Sequence, residues 1–264
     1  MSSSHSRCQG WPTRSETRHT GFTPVTFSTV QFVQAGGLKI AYERVGEGHP
    51  LVLVHDGRSS DLPAGLTLAA FADGLAALIE SLRLGPAHVA GLSWGGTVAL
   101  ELYHRHPGLV ATLIMIDSYA GWKGSLPADE VQARVAAGRR MLAAPPGELD
   151  PTLPGLFAGD PPAAFVPLLA AIAANGRLAT LELAIMAETH LSDLLSDIAV
   201  PTLLIWGDSD ARSPLTVAHQ FQEAIPGTEL VVIQGSGHMS NLERPERVNA
   251  AVRAFCRTHP PHAS

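Results

Sequence analysis

Gly91-Leu92-Ser93-Trp94-Gly95 sets one serine between two glycines, directly after a short apolar run and directly before a stretch with helical spacing. A serine hydroxyl becomes a nucleophile only with a base beside it, and the base needs a group to hold its ring. The glycines allow a sharp strand-to-helix turn that pushes the hydroxyl out at the strand's end. The helix that follows offers amide donors and the positive end of its dipole to an oxyanion. Two later segments supply the other residue types. Gln234-Gly235-Ser236-Gly237-His238 carries an imidazole on a small-residue loop, and Trp206-Gly207-Asp208-Ser209-Asp210 ends an apolar run with two carboxylates. A serine, a histidine and an aspartate at the ends of three apolar runs are the materials of acyl transfer.

Those residues need a scaffold that gathers strand ends at one edge. Val25 to Val33 and Leu38 to Arg44 read as strands joined by Gly36-Gly37. Pro50 to Val54 is a continuous apolar run, which predicts a strand buried on both faces. Leu68 to Leu84 has helical spacing, His88 to Ala90 is a second buried strand, about Gly95 to His106 is a helix and Val110 to Ile116 a third buried strand. After Tyr119 the alternation stops. Pro127 to Ala143, Pro161 to Ala174 and Leu178 to Leu195 all read as helices, separated by Pro- and Gly-rich loops. Alternation resumes with strand Thr202 to Trp206, helix Leu215 to Ile225, strand Glu229 to Ile233 and helix Pro245 to Arg257. The pattern predicts an α/β fold with a mainly parallel sheet flanked by helices, whose ligands gather at the C-terminal strand ends.

The chain resembles the α/β-hydrolase fold superfamily, in its lid-bearing esterase and lactonase-like branch. The resemblance covers about residues 32 to 258 and rests on PLVLVH at 50–55, GRSSD at 57–61, GLSWGG at 91–96, PTLLIWGDSDARSP at 201–214 and GSGHMSNLERPE at 235–246. It implies an α/β-hydrolase core of residues 25–120 and 196–258, a helical lid at 121–195 inserted after the strand ending near Asp117, and tails at 1–24 and 259–264. The order Ser93, Asp210, His238 is the one expected of this fold. In relatives the acid is the last residue of a G-x-x-D tetrad, which maps to Asp210. Asp208 is the fallback and Asp117 a further alternative; loop capping is the reading preferred for both.

One departure matters. Relatives follow the first motif with a helix and a strand before the second motif, whereas here His55-Asp56 runs straight into Gly57-Arg58-Ser59-Ser60-Asp61. The missing loop is where relatives keep one of two oxyanion amides. The amide of Trp94 belongs to the elbow, and Gly57 is the candidate for the second donor. The reading is cofactor-independent hydrolysis of a small carboxylic ester or lactone through an acyl-enzyme on Ser93. The rivals are a catalytically impaired relative that binds a small molecule, and a cofactor-free perhydrolase of the haloperoxidase type using the same residues.

Composition sets the outer bounds. The 264 residues are 45% hydrophobic and 16% charged, enough for a sizeable core, and the net charge of −6 argues against a nucleic-acid partner. Only Lys39 and Lys123 are lysines, neither in a Schiff-base or phosphate-loop context. Cys8 and Cys256 have no metal-ligand spacing and no disulfide framework, which points to a reducing, cytoplasmic setting. No apolar run reaches membrane-spanning length, and residues 1–24 lack a secretory apolar core and read as a disordered tail.

The remaining candidates take plainer readings. His104 and His106 are two apart on a helix, so their rings point apart and no metal site is expected. His55 reads as a structural residue at a strand end. Trp94, Trp122 and Trp206 fit a pocket wall or a core equally well. Asp129-Glu130 and Arg139-Arg140 read as a solvated lid face, and Met141 and Met186 as ordinary apolar positions. Leu168, Leu169, Ile172, Leu181, Leu183 and Ile185 imply a mostly apolar acyl or alcohol pocket.

Overall fold

The structure is a computed structural model and describes residues 30–54, 65–143, 155–162, 165 and 176–261. An antiparallel hairpin of β1 (Gln31–Ala35) and β2 (Leu38–Tyr42) turns at Gly36-Gly37 and stands apart from the main sheet. The main sheet holds five parallel strands: β3 (Leu51–Val54), β4 (Ala87–Leu92), β5 (Val110–Ile116), β6 (Thr202–Gly207) and β7 (Glu229–Ile233). Helix α1 (Leu68–Ser81) joins β3 to β4, and α2 (Trp94–Arg105) joins β4 to β5. An insertion carrying α3 (Ala128–Ala143) and α4 (Gly176–Glu188) separates β5 from β6. Helix α5 (Leu215–Ala224) joins β6 to β7, after which come the short α6 (Ser240–Glu243) and α7 (Pro245–Thr258).

The strands are laid down in one direction across the sheet, β3-β4-β5-β6-β7. Because parallel crossovers are right-handed, a sheet grown one way stacks its crossover helices on one face. The core divides accordingly. Val89, Leu113, Met115, Leu204 and Trp206 face α1, α2 and α5, while Ala90, Ile114, Ile116, Leu203, Ile205 and Ile233 face α7 through Val248 and Phe255. Successive strand residues thus alternate between the two clusters, as a pleated strand dictates.

That division leaves one face of β3 open. The apolar run Leu51–Val54 was expected to be buried on both faces, but Leu51 is 38% and Leu53 63% exposed. Val52 and Val54 pack against the cluster beneath α1 and α2. Leu53 pairs in register with Ala90 and so lies on the α7 face. Among the described residues β3 is the edge strand, and α7 is too distant across the sheet to cover it. A crossover to a further strand outside β3 would lay its helix over that face by the same handedness rule.

The helix expected over Leu178 to Leu195 is also two pieces. α4 ends at Glu188, and a separate 3-10 turn spans Ser192–Asp197, with Leu191 before it and Leu195 within it buried in the core. The strand expected from Val25 lies outside the described residues except at its end, as do most of the 161–174 helix and its Leu168, Leu169 and Ile172. Cys256 is a half-buried free thiol on α7. Among the described residues no helix is long and apolar enough to cross a membrane.

Candidate active site

Strand β4 is buried along its length and delivers Ser93 at its C-terminal end. Ser93 has φ 51° and ψ −115°, a conformation that L-residues avoid and that reverses the chain into α2. Its amide still bonds the Ile116 carbonyl at 3.0 Å, extending the β4–β5 ladder by one residue, while its own carbonyl accepts from Gly96 and Thr97 in the first turn of α2. A Cβ on Gly91 would stand 2.2 Å from the Gly95 carbonyl carbon, so strand and helix approach too closely there for any side chain. Trp94, which begins α2, is 7% exposed and meets Phe71 edge-on at 5.4 Å. It anchors the core, and its amide follows Ser93 at the helix N-terminus.

His238 and Asp210 meet at the same sheet edge. The imidazole Nδ1 lies 2.9 Å from Asp210 Oδ2, and both side chains are almost fully buried. Asp210 Oδ1 accepts the amides of Arg212 and Ser213, each at 2.8 Å, so the carboxylate is held by its own loop before it touches the histidine. An aspartate accepting amides two and three residues ahead is a local turn motif readable from sequence. The Tyr119 ring packs 6.2 Å from the imidazole.

The other carboxylates have different work. Asp208 is exposed, its Oδ1 accepts the Gly235 amide at 2.8 Å and the Ser209 hydroxyl at 3.0 Å, and the latter bond holds it below the usual carboxylate range. It staples two loops. Asp117, at the end of β5 with φ 44°, accepts the Gly207 amide at 2.8 Å on Oδ1 and the Ser240 hydroxyl on Oδ2. Burial, and next the charge of Asp210, push its carboxyl well above the ordinary value.

Gly57 and His55 lie outside the described residues. Among the described residues no group of three His, Cys, Asp or Glu is arranged to hold a metal ion. His106 caps α2 instead and places Nε2 2.8 Å from Asp73, which also takes a two-pronged contact from Arg105. Trp206 is fully buried with its Nε1 donating to the Ser213 carbonyl, and Met186 is buried, whereas Met141 is 37% exposed. Arg139, Arg140 and Asp129 are exposed, and Glu130 is partly exposed and paired with Arg134.

Several residues at the site were not singled out from sequence. Tyr119 is buried, with its hydroxyl accepting from Arg134 Nη1 at 3.0 Å. The Arg134 guanidinium also lies over the rings of Tyr119 and Trp122. Glu243 takes the amides of Gly237 and Ala158, tying the histidine loop to the insertion. None of these contacts is signalled by local spacing, because apart from Gly237 and Glu243 each partner comes from a separate segment.

A parallel sheet with a strained serine at one strand end and a buried His–Asp pair at the same edge is the framework of an α/β hydrolase. The model of the Alpha/beta hydrolase family matches residues 14–251, and the chain belongs to that family. It is 31% identical over 195 residues to a pimeloyl-(acyl-carrier protein) methyl ester esterase of Neisseria meningitidis, covering 71% of this chain and 74% of that protein. It is 32% identical to the dihydrolipoyllysine-residue acetyltransferase component of the acetoin cleaving system of Pseudomonas putida, spanning 69% of this chain but only 49% of that protein's length. Among solved structures an esterase from Exiguobacterium antarcticum superposes with a TM-score of 0.75 at 21% identity, over 87% of this chain and all of that one. At that identity the likeness speaks for the fold alone.

Proposed function

We propose that the protein is a cofactor-independent serine hydrolase acting on a small carboxylic ester or lactone. The observation that carries this reading is the coincidence, at one sheet edge, of Ser93 in its strained turn and His238 hydrogen-bonded to buried Asp210. His238 takes the Ser93 proton as the Ser93 oxygen bonds to the ester carbonyl carbon. The tetrahedral oxyanion is met by the Trp94 amide, with Gly57 proposed as the second donor. The C–O bond to the alcohol then breaks, and His238 returns the proton to the leaving oxygen. Water repeats the sequence on the acyl-serine and frees the acid. Asp210 keeps the proton-bearing Nδ1 fixed so that Nε2 is the basic nitrogen.

The insertion between β5 and β6 serves as the lid in this reading, with half-buried Leu181, Leu183 and Ile185 on α4 supplying apolar surface. The experiment is labelling of the purified chain by a fluorophosphonate, with the modified peptide identified by mass spectrometry. Stoichiometric label on Ser93 that is lost in His238→Ala supports the proposal. Absence of label in a cooperatively melting protein overturns it and favours a ligand-binding relative, for which the uncovered face of β3 is the motivating observation. Label together with peroxide-dependent halogenation favours the perhydrolase chemistry.

A further inference from the structure

Two arginines stand against the acid side of the site. Arg212 follows Asp210 by two residues, and its side chain is largely buried, yet among the described residues its Nε is enclosed with no hydrogen-bond partner. A guanidinium stays charged in any protein setting, so enclosing one without a partnered donor is costly. Among the described residues, the nearby carboxylates are already engaged. Asp210 accepts two backbone amides and His238, and Glu130 is held by Arg134. Asp210 acts on Arg212 only through space, and Arg134 adds a like charge.

Arg134 on α3 donates to the Arg212 carbonyl and to the Tyr119 hydroxyl, so the two basic side chains and the tyrosine share one seam between insertion and core. The seam's other side is the segment from Gly155 to Ala158. A Cβ on Gly155 would touch Arg212 Cγ at 3.5 Å, and one on Gly237 would meet the backbone of Phe157 and Ala158 at 2.8 Å. The Leu156 carbonyl accepts the Met239 amide at 3.0 Å. The same strip of insertion therefore runs from the arginine to the residues flanking His238.

Resting on the hydrolase reading, we propose that Arg212, framed by Arg134 and Tyr119, receives a carboxylate of the substrate. The preferred substrate is then the monoester or lactone of an acid that carries a second, ionised carboxylate. The planar fork matches a carboxylate's two oxygens, and a charge-assisted bond in an enclosed site outweighs one in water. The partner that the described residues do not provide is supplied by the ligand.

The test compares monoethyl adipate with its neutral isostere ethyl adipamate. The full-length protein hydrolyses the anionic ester with kcat/KM about tenfold or more above the amide, as one charge-assisted hydrogen bond requires. Arg212→Gln brings that ratio to about one, Arg212→Lys keeps part of it, and added salt lowers it in the unmodified protein. Should Arg212→Gln fail to melt cooperatively, Arg134→Gln and the salt series carry the same comparison. A ratio near one in the unmodified protein overturns the proposal. So does an Arg212→Gln protein in which both esters slow equally, because that outcome assigns Arg212 to support of Asp210. Calorimetric titration of Ser93→Ala with the same two compounds reads recognition without turnover. Selective binding of the acid there, with no turnover by the unmodified chain, sinks the hydrolase reading and leaves the carboxylate site standing. Turnover without selectivity does the reverse.

Discussion

Ser240 donates its hydroxyl to Asp117 across 123 residues of sequence, while the other oxygen of the same carboxyl accepts the Gly207 amide. One buried side chain thus ties the end of β5 to the end of β6, three residues before Asp210, and to α6, two residues after His238. It holds both loops of the His–Asp pair without touching either member of it.

Asp117 consequently governs part of the pH dependence of stability. Its folded value lies well above the ordinary 3.8 because of burial and then Asp210. Between those two values the native state binds a proton that the unfolded chain has released, so this group's contribution is full at low pH and is lost as pH rises. Asp117→Asn keeps an acceptor for Gly207 and a partner for Ser240 and does not titrate. Relative to the original protein, its stability rises as pH climbs from about 5 to 8, measured by urea titration at each pH. Asp117→Ala strands both donors and loses about 2–4 kcal/mol.

The two aspartates of the β6 loop separate by substitution. Asp210→Asn still accepts the Arg212 and Ser213 amides, so its melting temperature changes little. Ester turnover falls on the order of 10³–10⁴ as the imidazole loses its orientation. Asp208→Asn, on the exposed staple, changes kcat by less than about twofold and stability by about 0.5 kcal/mol or less. Steady-state rates on one ester with both variants suffice, and equal losses would return Asp208 to the site.

The elbow stores strain in exchange for reactivity. Ser93→Gly relieves φ 51° and stabilises the fold by about 1–3 kcal/mol while abolishing fluorophosphonate labelling. The Tm rise follows at about 2–4 °C per kcal/mol for a chain of this size. Gly91→Ala has the opposite result, because its Cβ has no space beside Gly95, and yields little folded protein.

The edge strand predicts a contrast between neighbours. Leu53→Thr, on the uncovered face, changes stability by about 0.5 kcal/mol or less. Val52→Ala, one residue away and packed beneath α1 and α2, loses about 1 kcal/mol or more. Denaturant midpoints of the two variants check this, and a larger loss at Leu53 would mean that its face is covered in solution.

Local patterns made much of the frame legible. The alternation of apolar runs with helical spacing announces a parallel α/β sheet, because strand and helix periods are set by backbone geometry alone. The glycines around Ser93 announce the elbow, because only residues without a Cβ fit where strand and helix touch. Asp210-Ala211-Arg212-Ser213 announces a self-braced carboxylate by the reach of its own side chain.

Tertiary structure decided what depended on distant partners. Three aspartates end strands near the site; the tetrad resemblance points to Asp210, but only the fold brings its oxygen 2.9 Å from His238 Nδ1. Arg134 has no local signal of its role, which follows only from the fold setting it on Tyr119 and the Arg212 carbonyl. The Leu51–Val54 run has the composition of a strand buried on both faces, yet burial is a property of the neighbours, and the one-directional strand order puts the crossover helices on one side only. Sequence specifies what each segment is able to become; which segments meet depends on chain direction and crossover handedness across the whole sheet.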